Sequence, residues 1–277
     1  MKTRISIASS ILVLFLSFMT TNITAQQNQS GNGFVPQVGQ QGKDVVWVPT
    51  PQELVNKMME VAKVTPDDYV IDLGSGDGRT VITAAKIGAK AKGIEYNPDM
   101  VALSKANAKK EGVTDRAEFI QADLYETDLS KATVITMFLL PEINLKLRPR
   151  LLDLKPGTRI VSNTFTMGEW EADKEVTTEE NWNSWNTAYL WIIPAKVAGK
   201  WRLGNSDLDL TQEFQFIHGT MNTGGKSLTV TDGRLNGNSI TFAINNEKYT
   251  GTVGDKLMKG TVTDSSTGTT SDWIATR

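Results

Sequence analysis

Apolar and polar positions change their period along the chain, and each change marks a different kind of structure. First comes an apolar stretch from Ile5 to Met19, behind Lys2 and Arg4. Gln26 to Lys43 follows, rich in Gln, Gly, Asn and Ser and without apolar periodicity, the composition of a flexible linker. Folded structure is expected from Asp44. Thr50-Pro51-Gln52-Glu53 supplies an N-cap, a proline at the first helical position and a capping-box glutamate. Leu54, Val55, Met58, Met59 and Ala62 then share one helical face.

From Tyr69 short apolar runs alternate with helical stretches. Strands are predicted at 69–73, 91–95, 117–121, 133–140 and 159–163, and helices at 80–87, 98–110 and 143–154. Such alternation implies right-handed crossovers and a parallel sheet. Two more strands, 174–178 and 188–193, lack a helix between them and should form a terminal hairpin, which makes the sheet mixed. The fold class is therefore α/β, a Rossmann-like, mostly parallel seven-stranded sheet over about 44–195. Beyond Pro194 the pattern shifts to short alternating runs such as Ile240-Thr-Phe-Ala-Ile, separated by Gly, Asn and Asp. Residues 196–277 thus read as a small antiparallel β-barrel or sandwich.

Composition narrows the partners. Lys and Arg total 29 against 31 Asp and Glu, so no basic excess advertises a nucleic-acid surface. With no cysteine, disulfides, thiolate catalysis and zinc-thiolate sites are excluded, and no metal site is expected. The N-terminal 25 residues have the plan of an export signal, with cleavage after Ala25 or retention as an anchor. The apolar stretch is short of the about 20 residues a spanning helix needs. An exported or envelope-associated protein is expected, with membrane contact through this segment alone and oligomeric state left open.

Chemistry concentrates after the first buried strand. Gly74-Ser75-Gly76-Asp77-Gly78 lies at a strand-to-helix turn, where an open α/β sheet receives its ligand. Asp72 precedes it and Glu95 ends the second strand, 23 positions later, near the spacing at which a carboxylate receives ribose hydroxyls. The loop departs from the dinucleotide pattern, which argues against a dehydrogenase and suits a ligand without pyrophosphate. Asp123, after the third strand, can accept an adenine amino group. Asp72, the glycines, Glu95 and Asp123 together come in the order of class I methyltransferases, whose ligand is S-adenosyl-L-methionine.

The likeness is closer than that. Val48-Pro-Thr-Pro, Asp72-Leu-Gly-Ser-Gly-Asp-Gly-Arg, Gly93-Ile-Glu-Tyr-Asn-Pro98, Phe138-Leu-Leu-Pro141, and Val161-Ser-Asn-Thr-Phe165 followed by Trp170 resemble the protein-lysine methyltransferases whose mitochondrial members modify the ATP synthase rotor subunit. The resemblance covers about 44–194. It implies S-adenosylmethionine as cofactor, held by Gly74, Ser75, Gly76, Gly78, Glu95 and Asp123 with Asp72, and a protein lysine as acceptor. It also implies that Phe138 to Pro141 meets the substrate amine; Glu142, just after Pro141, is the acid placed to be a candidate contact. More weakly, Gly199-x-Trp201 with Trp273 and Arg277 resembles the closing pattern of lipocalin-like barrels.

Because the nucleophile must be neutral, a lysine of ordinary pKa about 10.4 has to lose its proton, and an apolar cleft beside a sulfonium favours that loss. No dedicated base is required. His218, the single histidine, falls in the β-rich part and is expected to be structural. Met58, Met59, Trp182, Trp185 and Trp191 are expected to pack, and Lys105 to Lys110 to form a solvated helix face. The competing expectation is an exported, non-catalytic protein that holds an adenosyl ligand while the barrel binds a partner.

Overall fold

The computed structural model describes residues 34–179 and 185–277. The signal expected at 1–25, the start of the linker and Trp182 lie outside the described residues. Seven strands, β1 (Tyr69–Leu73), β2 (Lys90–Glu95), β3 (Ala117–Gln121), β4 (Val134–Met137), β5 (Arg159–Asn163), β6 (Lys174–Thr177) and β7 (Thr187–Ile192), form one sheet in the order β3-β2-β1-β4-β5-β7-β6. Neighbours from β3 to β5 are parallel. β7 is antiparallel to both β5 and β6, so the sheet is mixed at the expected end.

Both faces of the sheet are covered, and β1, β4 and β5 are accordingly buried along nearly their whole length. Successive side chains point to opposite faces. Val70, Val134 and Val161 pack under α1 (Gln52–Val61), α2 (Arg79–Ile87) and α3 (Pro98–Lys110). Ile71, Ile135 and Ile160 pack with α4 (Pro141–Leu152), Trp170 and Trp191 on the other face. Met58 and Met59 are buried, as their helical spacing requires.

Three local expectations are corrected. The capping box does not form: α1 starts at Gln52 without a side-chain cap, because the Thr50 hydroxyl accepts instead from Asn163 Nδ2 at 3.2 Å. β4 stops at Met137 rather than Leu140, because 138–140 leave the sheet before Pro141 opens α4. Finally, the end of the stretch read as linker folds back on itself. Gly39 N–H donates to Trp47 C=O (2.8 Å) and Trp47 N–H to Gln40 C=O (2.9 Å), with a bridge between Gln41 and Val46. Its polar composition hid a small hairpin.

β8 (Gly199–Leu203), β9 (Ser206–Glu213), β10 (Phe216–Thr223), β11 (Lys226–Asn236), β12 (Ser239–Ile244), β13 (Glu247–Val253), β14 (Leu257–Asp264) and β15 (Thr270–Thr276) form a closed antiparallel barrel. Of the two β architectures expected, the barrel is the one present. Eight strands leave an interior that side chains just fill, here with Trp201, Leu208, Ile217, Phe242 and Met258 among others. Closure is by a short seam, Ala275 to Leu203 and Thr276 to Arg202. The Arg277 guanidinium lies 4.3 Å over the Trp201 ring. The barrel meets the α/β part through the turn between β9 and β10. Phe214 stacks on Trp170 at 5.6 Å, and the buried Gln215 accepts from Trp170 Nε1 and donates to Glu171 C=O, both at 2.8 Å.

Candidate active site

A cavity of about 400 Å³ opens where the glycine loop leaves β1, at the carboxyl ends of the parallel strands. The loop is pinned to β2: Gly74 N–H and Ser75 N–H both donate to Ile94 C=O, at 2.9 and 3.0 Å. Glu95, ending β2, accepts from Gly76 N–H through Oε2 and from Asn97 N–H through Oε1, each at 2.9 Å. These two bonds fix the carboxylate and leave about half of its lone pairs for a ligand. At Gly76, with φ of 54°, a β-carbon would meet Trp47 Nε1 at 2.6 Å, so only glycine lets the hairpin seat over the loop.

Asp72 lies 5% exposed on the cavity wall, where Thr136 Oγ1 donates to its Oδ1 at 2.6 Å. Burial pushes its carboxyl up to about 7, against the Thr136 hydrogen bond and with help from the nearby Glu95 and Asp77. Asp123 faces the cavity from beyond β3. Its Oδ1 accepts from Tyr125 N–H (2.8 Å) and its Oδ2 pairs with Lys43 Nζ at 2.6 Å. The Lys43 bond, foremost, holds the Asp123 carboxyl below the usual range. Lys43 also sits 4.6 Å over the Tyr96 ring.

Gly74, Ser75, Gly76, Asp72, Glu95, Asp123 and Phe138 all line the cavity, but three expected site residues do not. Gly78 is not among the lining residues, and a β-carbon there would strike Phe119 and Ser104 at 2.8 Å, so packing by itself calls for glycine at this position. Pro141 is the first residue of α4, and Glu142, in that helix's first turn, is exposed. The turn into the helix carries both outward.

The structure adds residues that the motifs did not single out as site. Phe138 stacks on Phe165 at 6.0 Å and meets Trp185 edge-on at 6.1 Å. All three rings line the cavity. Trp185, read as packing, comes to the site because β7 returns antiparallel beside β5. Asp77 and Arg79 also line it, and Arg79 Nη1 donates to Thr50 C=O at 2.8 Å, tying the loop to the entry of α1.

The cavity suits an adenosyl sulfonium ligand on its own chemistry. Five of its lining carboxyl residues, Asp44, Asp72, Asp77, Glu95 and Asp123, face two basic ones, Lys43 and Arg79, and the Ser75 hydroxyl is buried without a partner.

A family model described as the ANTKMT methyltransferase domain matches residues 72–174. A protein-lysine N-methyltransferase of Saccharolobus islandicus (strain REY15A) is 48% identical over 152 residues, 54% of this chain and 94% of that protein. The chain belongs to this methyltransferase family. An ATP synthase lysine N-methyltransferase of Rattus norvegicus is 36% identical over 105 residues, 38% of this chain and 49% of that enzyme. An RNA methyltransferase from Salinibacter ruber, solved with S-adenosyl-L-homocysteine, is 49% identical with a TM-score of 0.51, covering 54% of this chain and 96% of that one. The methyl donor of the present methyltransferase is accordingly S-adenosylmethionine, and the dehydrogenase and the non-catalytic binding protein both lose their basis.

Proposed function

We propose that the protein N-methylates a lysine side chain of a protein acceptor, with Glu95 receiving the ribose hydroxyls and Asp123 the adenine amino group. The observation that carries the acceptor reading is the wall of Phe138, Phe165 and Trp185 in the same cavity as the glycine loop. Rings of this kind accept the apolar stem of lysine and attract its ammonium head. The acidic lining opposes a phosphate backbone, which speaks for a protein over an RNA acceptor.

S-adenosylmethionine held by Glu95 and Asp123 would supply an electrophilic methyl group for the amine, with the carbon–sulfur bonding pair left on sulfur. The chain's own part is to orient and to exclude water. Loss of water around the amine and the neighbouring sulfonium charge disfavour the ammonium form against the pull of the rings, and the amine proton leaves to solvent as the acceptor enters, before attack. The apolar N-terminus behind Lys2 and Arg4 supports an exported protein acting on an envelope acceptor.

Incubation of the full chain with labelled S-adenosylmethionine and separate protein and RNA extracts tests the reading. Label on lysine, located by mass measurement of peptides, is expected; label in RNA alone would overturn it. Glu95→Ala should weaken S-adenosylhomocysteine binding by about 2–3 kcal/mol by calorimetry, the scale of hydrogen bonds to a charged group. Unchanged affinity would remove Glu95 from the cofactor site.

A further inference from the structure

The segment Val161-Ser-Asn-Thr-Phe165 ends in a turn that nothing in the cofactor site requires. Phe165 N–H donates to Asn163 C=O at 2.7 Å across Thr164, whose φ is 61°. A hydrogen bond spanning one residue of positive φ is a γ-turn of the rare, strained hand, and a β-branched residue is the least suited to it. The turn is held from several sides. Thr164 N–H donates to Thr187 C=O (2.7 Å) and Thr164 Oγ1 to Asn163 Oδ1 (2.8 Å). The buried Asn163 reaches Thr50 through Nδ2. The buried Asn144, on α4, donates through Nδ2 to Phe165 C=O at 3.3 Å and to Thr166 C=O at 3.2 Å. Strain kept this way, at a ligand cavity, is characteristic of pre-organised sites.

We propose that Thr164 is a positioning residue for the acceptor: the clamped turn fixes the Phe165 ring against Phe138, so that with Trp185 the two rings stand ready as the path of the lysine side chain. This rests on the reading of the cavity as a lysine acceptor site. The turn acts on the acceptor and not on the cofactor, because Thr164 joins no cofactor-binding residue and Phe165 is the ring it aims.

The test uses the full chain, poly-L-lysine as acceptor and S-adenosylhomocysteine as the cofactor probe. Thr164→Gly, which occupies positive φ without strain, should melt no lower than the wild type and bind S-adenosylhomocysteine within about twofold. It should also raise the KM and the calorimetric Kd for poly-L-lysine about tenfold, since a mispositioned wall loses acceptor binding. Thr164→Asn, a residue that tolerates positive φ and can still donate to Asn163, should restore both. Asn144→Ala loosens the clamp from outside and should shift acceptor constants alone. Wild-type acceptor constants in Thr164→Gly, or in a folded Asn144→Ala if Thr164→Gly does not fold, would overturn the proposal. So would a loss of S-adenosylhomocysteine affinity in step with the acceptor. Phe165→Leu separates the two levels: if it leaves acceptor constants unchanged, or if the wild type does not bind poly-L-lysine, the lysine reading fails with it.

Discussion

Asp72 is a buried acid whose carboxyl is pushed up to about 7 because it is out of water near Glu95 and Asp77, against the hydrogen bond from Thr136. In the unfolded chain it would ionise near 3.9. Between those values the folded state keeps a proton that the unfolded chain has released, so the contribution of this group to stability is full below about pH 4 and is lost as pH rises through about 7. Thermal melts without cofactor should show this loss, and Asp72→Asn should lack the part of the pH dependence that falls between about pH 4 and 7. Equal slopes in the two proteins would assign the titration elsewhere. Lys43 poses a second question at this scale, since it holds the carboxylate proposed to receive adenine. Lys43→Ala should tighten S-adenosylhomocysteine binding by up to about fivefold, the range of an exposed ion pair, and most at low salt. Weaker binding would make Lys43 part of the cofactor site instead of its competitor. That Asp72, Glu95 and Asp123 would gather at one cavity was legible in the sequence because each lies near the end of a visible apolar strand or just beyond it. Gly78 was not, since a glycine turned toward a ligand and one packed on Phe119 and Ser104 leave the same letter.

At the scale of elements, the sequence conveyed the strands and helices of the α/β part because their apolar periods change cleanly at each turn. It failed where function bends an element away from its pattern. Phe138 to Leu140 continue the apolar run of β4 but leave the sheet to build the cavity wall. The 40–47 hairpin has no apolar alternation, and its bonds are those of the backbone. The aromatic wall was invisible for another reason: Phe165 and Trp185 are brought to the Phe138 ring by the pairing of β5 with β7. In the barrel, the element most open to attack is the β15–β8 seam, braced by Arg277 through its ring contact with Trp201 and its bonds to the Ala198 and Lys196 carbonyls. Arg277→Ala should cost about 1–2 kcal/mol, read as an earlier melting step while S-adenosylhomocysteine binding is retained. An unchanged melt would show the seam held by its ladder alone.

For the whole molecule, one buried amide joins the two architectures. Gln215, from the barrel, satisfies both the Trp170 indole and the Glu171 carbonyl at the α4 face of the sheet. Gln215→Met keeps the volume but strands both polar groups, at about 1–3 kcal/mol each. Faster hydrogen exchange at the Trp170 indole should report it, and native protection there would mean that the contact is dispensable. The sequence placed a β-rich unit after Pro194 but left barrel and sandwich open, because closure is a contact between the first and last strands. That same contact sets a schedule on the ribosome. The sheet's last strand, β7, is finished at Ile192, so the methyl-transferring part can fold while the rest is still being made. β8, by contrast, is translated first in its unit and stays unpaired on one edge until β15 emerges. At roughly 5–20 residues per second that wait is one of seconds, during which the edge beside Trp201 is open to any strand that reaches it first.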